Sequence, residues 1–378
     1  MALTQATGSV IANTTIDLNN LTTNAQYTGF KNRIINGGMV IDQRNSGAAV
    51  TINAASNTYV IDRFFGYGQA SDGIYTLQRS ATAPAGFANS VVATVTTIDN
   101  ALGASQAYFV SQSIEGLNVA DLAWGTASAA TVTLSFWVRS SVTGTYGGAI
   151  TNAGTARSYP FTYTINSANT FEYKTLTIAG DTAGTWGMGT GIGLQIIWGL
   201  GVGSTLSGTA GAWAGAQYDS ATSVTNLMAT NGATWYLTGV QLEKGSVATG
   251  FDYRPYGKEL MLCQRYYQQL ASGGDFTSFS SGQCNNSTEA FFYNQLFVPM
   301  RSSPSITPSS VSSFKIYSGA TNVTVSSFVN RVGGAVSGGN YTTINFDCTV
   351  ASGLTASYGA TLMNATSSLP YISFSSEL

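Results

Sequence analysis

Histidine is absent from the 378 residues, and 15 Lys or Arg with 17 Asp or Glu leave only 8% of the chain charged, against about 25% in an ordinary globular protein. Without histidine there is no serine–histidine or cysteine–histidine nucleophile, and most zinc sites are excluded. A formal net charge of −2 with no cluster of Lys or Arg offers no footprint for a phosphate backbone, so nucleic acid is excluded as a partner. Long apolar runs are missing as well. The most apolar window, 191–203 (GIGLQIIWGLGVG), is shorter than the roughly 20 residues that span a bilayer, and no membrane insertion is expected. The N-terminal MALTQATGSV has neither a basic n-region nor a continuous apolar segment, so no secretory signal is expected. Cysteine is scarce. Cys263, Cys284 and Cys348 are odd in number and follow no metal-ligand spacing. They read as buried reduced thiols, with a Cys284–Cys348 bridge as the alternative.

What is present is a folding chain. Hydrophobic residues make up 44% and aromatics 12%, with 43 Gly, which is not a disordered composition. The length accommodates two or three domains. Residues 1–30 carry one formal charge, Asp17, and no apolar stripe; they read as a loose terminus or as an arm that docks on a partner. From 31 to 254, short alternating runs are separated by turn residues. In TVTLSFWVR at 131–139, Val132, Leu134, Phe136 and Val138 share one face, while Thr133, Ser135, Trp137 and Arg139 share the other. That is the period of a half-buried antiparallel strand. Similar runs at 90–98, 170–178, 193–200 and 233–243, with no helical pattern between them, predict an all-β, two-sheet sandwich.

Pro255 is placed to start a helix. In the run that follows, Leu260, Cys263, Tyr267 and Leu270 fall at offsets 0, 3, 7 and 10, the spacing of a coiled-coil seam. A helix over 255–270 follows, packed on its own sandwich or lying along a symmetry axis. Residues 271–378 form a second β-rich block, read as a smaller sandwich, with strands at 289–298, 313–318, 321–329, 341–350 and 371–375; Pro299, Pro304 and Pro308 punctuate the loop after the first of these.

Several phrases then fall into a familiar set: KNRIINGGMVIDQRNSG at 31–47, TYVIDRFFGY at 58–67, QSIEGL at 112–117, WGTASAATVTLSFWVRSS at 124–141, TFEYKTLTIAGDTAGTW at 170–186 and WYLTGVQLEKGSVATGFDYRPYGKELMLCQRYYQ at 235–268. Together with MRSSPSI at 300–306 and the terminal SFSSEL, they resemble a family of tailed-phage virion proteins, the tail fibres and minor structural proteins. Gly250 departs from the proline of that pattern, and 271–378 matches only in fragments. The resemblance implies a jelly roll similar to carbohydrate-binding modules, carried on a homotrimeric fibre. In that reading residues 1–30 attach to other tail or baseplate proteins of the virion, 31–254 form the jelly roll, and 271–378 project outward.

A sugar is held by aromatic faces stacked on its C–H surface and by amides or carboxylates that bond its hydroxyls. Trp137, on the polar face of its strand, is the sharpest candidate. Trp186 and Trp213, in Gly/Thr-rich stretches, follow, then Tyr317, Tyr341 and Tyr358, and Arg331 among Gly333, Gly334, Gly338 and Gly339. Calcium held by Asp62 and Glu243 is a weak further option, since calcium takes six to eight oxygens. No spacing among the 17 acids singles out the carboxylate pair that glycoside cleavage needs. The function expected is host attachment through weak, multivalent contacts with cell-surface glycans. An architectural neck, baseplate or capsid-surface fibre without a ligand is the runner-up, and a polysaccharide depolymerase the third reading.

Overall fold

The computed structural model describes residues 30–69, 72–274, 277–331, 335–336, 340–364 and 369–378. The arm at 1–29 and the loop glycines Gly333, Gly334, Gly338 and Gly339 lie outside the described residues. In chain order the strands are β1 Val50–Ile52, β2 Thr58–Ile61, β3 Phe64–Tyr67, β4 Ile74–Ser80, β5 Ser90–Thr97, β6 Ala107–Glu115, β7 Val132–Ser140, β8 Gly144–Asn152, β9 Ser158–Ile165, β10 Glu172–Ile178, β11 Ile192–Val202, the two-residue β12 Ser207–Gly208 and β13 Ser220–Ala221, and β14 Thr234–Lys244. The chain then forms two compact units, the first running to Gly38 and including Thr51–Asn57 and Gly66–Tyr253, the second comprising Met39–Val50, Thr58–Phe65 and Arg254–Leu378. The contiguous 31–254 block read from the sequence thus gives two short pieces, 39–50 and 58–65, to the second unit.

In the first unit, one sheet runs β1-β4-β5-β14-β7-β10 and the other contains β6-β11-β8-β9, flanked by the Gly66–Tyr67 end of β3. Leaving aside the paired two-residue strands β12 and β13, the chain changes sheet from β5 to β14 at every step except the β8–β9 hairpin. This is the winding of a jelly roll. In β7 the apolar face is fully buried, at Val132, Leu134, Phe136 and Val138; on the opposite face Thr133 and Ser135 are covered too, and only Trp137 and Arg139 are half-buried. Between the sheets Phe136 meets Trp198 and Tyr163 edge-on, with centroids 5.9 and 5.2 Å apart. The Trp235 indole N–H donates to the Tyr163 hydroxyl at 3.0 Å, so this buried pair is satisfied as well as packed.

The second unit begins with helix α1, Tyr256–Gln264, followed by β15 Tyr267–Ala271, β16 Ser278–Cys284, β17 Glu289–Met300, β18 Ser305–Pro308, β19 Phe314–Ser318, β20 Thr321–Arg331, β21 Ala335–Val336, β22 Asn340–Val350, β23 Gly359–Asn364 and β24 Tyr371–Ser375. Its main sheet closes, because β17 pairs with both β16 and β22, giving the ring β17-β16-β23-β19-β20-β22. Closure leaves these strands without a free edge. A three-stranded sheet, β15-β24-β18, completes the unit.

Three sequence expectations change here. The helix stops at Gln264, because Tyr266 and Tyr267 favour a strand and β15 finds a main-chain partner in β24, Tyr267 opposite Ser375. The seam is therefore divided. Leu260 and Cys263 lie on the helix, whereas Tyr267 and Leu270 lie on a strand; Cys263 and Tyr267 are buried, and Leu270 packs on the core of its own unit. Next, Cys284 and Cys348 stand opposite the same residue, Ala290, from its two flanking strands. Two strand spacings, roughly 9–10 Å, exceed the reach of a disulfide, and all three cysteines are free and buried. Finally, Pro299 lies within β17 at a shift of register between Gln295 and Met300, where the ladder is already interrupted.

Candidate functional site: an aromatic groove on the jelly roll

The outward residues of β7, β14 and β10 come into register around Trp137, which faces Tyr173 on one side and Thr238 on the other. The Trp137 and Tyr173 rings lie 5.4 Å apart, inclined at 45°. Between Thr238 and Gln241 the β14 ladder slips. Gly239 occupies the bulge with φ +59, and a Cβ there would stand 2.7 Å from Phe87 and 3.0 Å from Trp137. Only glycine tolerates that backbone together with that closeness.

Two loops bring more rings to the same place. Phe87 sits in the 81–89 loop, anchored by Thr238, whose hydroxyl donates to the Asn89 carbonyl at 2.7 Å. Phe251 and Tyr253 follow β14. Phe87, Phe251 and Tyr253 contact one another with centroids 4.9–5.6 Å apart, and the Tyr253 hydroxyl donates to the Gly86 carbonyl at 2.9 Å. The loop after β14 is held from beneath. Glu243, buried, accepts from the Thr249 N–H at 2.8 Å, the Thr249 hydroxyl at 2.6 Å and the Gln241 amide at 2.9 Å, while Gln241 accepts from the Asp252 N–H at 2.9 Å.

The result is an open groove of about 460 Å³, lined by Trp137, Tyr173, Phe87, Phe251 and Tyr253 with Ser135 and Thr249 among its polar residues. Tyr173 and Tyr253 are 43% and 61% exposed, so their rings are open to a ligand. Apolar ring faces beside hydroxyls, without charge, suit a neutral, hydroxylated ligand with apolar faces of its own.

No protein-family model and no curated protein matches the sequence. Solved structures do. The chain is similar to the enzymatically active domain of tailspike protein 4 of bacteriophage CBA120, with 14% identity and a TM-score of 0.31 over 57% of this chain and 21% of that one. It thus spans about a fifth of that chain's length. It is also similar to the family 11 carbohydrate-binding module of a Clostridium thermocellum cellulosomal cellulase (8% identity, TM-score 0.27, 55% of this chain and 100% of that one). A third similarity is to a tandem of family 22 carbohydrate-binding modules from Paenibacillus barcinonensis (9%, 0.27, 89% and 99%). At TM-scores this low, neither the fold nor the ligand of this chain rests on them.

Of the residues singled out in the sequence, Trp137 lies in the groove. Trp186 and Trp213 do not line it: they pack edge-on against Trp124 and each other at 4.7–5.4 Å, and their indole N–H groups donate to the Ala183 and Ala179 carbonyls at 3.2 and 2.8 Å. Asp62 and Glu243 belong to different units. Asp62 accepts from the Gln43 backbone at 2.7 Å and its side chain at 2.6 Å, and burial raises its pKa to about 6. Among the described residues no three acids or cysteines cluster as metal ligands.

In the second unit Tyr317 is half-buried on β19, Tyr341 packs against the core, and Tyr358 is exposed. Arg331 is paired with Asp347 and, at 3.5 Å, with Glu289. Phe87, Tyr173, Phe251, Tyr253 and Gly239 join Trp137 in the groove through the fold. Tyr173 had a legible signal, its outward place in the alternating TFEYKTLTI; the loop aromatics had none.

Proposed function

We propose that the jelly roll is a glycan-binding module and that the chain serves as a fibre protein of a tailed-phage virion, contributing to attachment at the host surface. The observation that carries the glycan reading is the pairing of half-buried Trp137 with exposed Tyr173, opened by the bulge at Gly239 and extended by three loop aromatics. The lining carries no carboxylate, which favours holding a saccharide over cleaving it, since glycosidases need two. The virion setting rests on the sequence resemblance, which also points to a homotrimer. Three shallow grooves on one particle would gain avidity from linkage without a strong single site.

A glycan array probed with the full chain tests this. Binding to a defined class of neutral oligosaccharide, lost in Trp137→Ala, is the expected result. An array blank for the folded, assembled protein would remove the glycan reading and leave an architectural fibre.

A further inference from the structure

The other sheet of the first unit carries a second pocket, of about 170 Å³, lined by Tyr67, Phe109, Gln195, Gln217, Asp219 and Asn57 among others. Tyr67 and Phe109 are stacked face to face, 4.8 Å apart at 2°, with Phe109 buried and Tyr67 the more exposed ring of the two. Gln195 is fixed by donating to the Ser111 hydroxyl at 2.9 Å. Asp219 is 4% exposed, and its carboxylate accepts from the Gln217 amide at 3.4 Å, a long bond for a buried acid. It is held in place through its backbone, whose N–H donates to the Leu206 carbonyl at 2.8 Å.

We infer that this pocket is a second, independent saccharide site that takes a single neutral sugar ring, packed against Tyr67, which Phe109 backs, and bonded through its hydroxyls by Asp219, Gln195 and Gln217. The volume is below the roughly 300–1,000 Å³ of sites for drug-sized ligands, so one ring fits where an oligosaccharide would not. No other lining residue is charged, so nothing there attracts an anion, and Asp219 would repel one. Two amides and a carboxylate provide both donors and an acceptor, the complement of a hydroxyl array.

Saturation-transfer NMR of the full chain, with glucose, galactose, mannose and N-acetylglucosamine each at millimolar concentration, tests the inference. At least one sugar should bind saturably, and Gln195→Ala should weaken it at least tenfold while Trp137→Ala leaves it unchanged. The Asp219 carboxyl, followed by carbon-13 NMR, starts from a pKa that burial raises to about 6. It should titrate lower with the sugar bound, because hydroxyl donors favour the charged carboxylate. Absence of saturable binding by the folded wild type, binding that vanishes in Trp137→Ala but persists in Gln195→Ala, or an Asp219 titration unmoved by the sugar would each overturn it. Because the groove variant is a control here, failure of this site and failure of the groove are separable.

Discussion

Gly239 shows how one missing side chain makes a surface. Its φ of +59 disfavours any L-residue, and the space its Cβ would fill is taken by Phe87 and Trp137. Gly239→Ala should cost about 1–2 kcal/mol in stability from backbone conformation alone and should displace a ring. The expected outcome is a lower melting temperature of the first unit together with weaker glycan binding; unchanged binding would mean that the groove does not depend on the bulge. Asp219 makes a different prediction at this scale. Burial raises its folded pKa to about 6 from an unfolded value near 3.9. Between those values the folded state holds the extra proton, so this group's contribution to stability falls as pH rises through the window. Asp219→Asn should therefore be more stable than wild type at pH 7, with the difference vanishing by about pH 4. Thermal melts of both proteins across that range check it, and parallel curves would contradict it.

Among the elements, the chain segments at 39–50 and 58–65 tie to the end of the second unit through charge. Glu377 is bonded by both Arg44, at 2.7 Å, and Arg63, whose side chain is 1% exposed. Arg44 and Arg63 also stack over Tyr267 and Tyr266 at 3.6 Å, and the Tyr59 hydroxyl donates to the Leu378 carbonyl at 2.6 Å. Removing one partner of a buried ion pair is costly because the remaining charge stays desolvated. Glu377→Gln should lower the unfolding free energy of the second unit by about 3–5 kcal/mol, read in urea; a loss under 1 kcal/mol would show that the cluster is wet. Of the strands of this unit, β17, β19, β20, β22 and β24 were legible in the sequence, since their alternation is local, whereas β16, β18 and β23 were not. Nor was the fate of Tyr267 and Leu270, because a heptad spacing says nothing about the partner that β24 supplies from a hundred residues away.

At the scale of the whole molecule, the phrases that carried the family resemblance hold buried scaffold residues as well as the groove's Trp137, Tyr173, Gly239, Phe251 and Tyr253. Asn32 donates to the Val240 carbonyl at 3.0 Å and accepts from the Leu242 N–H at 3.1 Å, and Gln112 exchanges bonds with the backbone of Ile35 at 2.9 and 3.0 Å. All these side chains are buried. Such phrases specify the jelly roll, so its architecture was legible while most of its groove was not: of the five aromatics only Trp137 stood out, and the loop rings needed the fold to meet. The homotrimer is proposed from the sequence resemblance alone. Light scattering should give three times the 39.4 kDa chain mass, and a single-chain mass would contradict the trimer.

The central claim is that the Trp137 groove holds a neutral glycan. Titration calorimetry of wild type and Trp137→Ala with one array-positive oligosaccharide tests it directly. The account predicts saturable binding that weakens at least tenfold, about 1.4 kcal/mol, in a variant that remains folded. Equal affinity in the two proteins would contradict it.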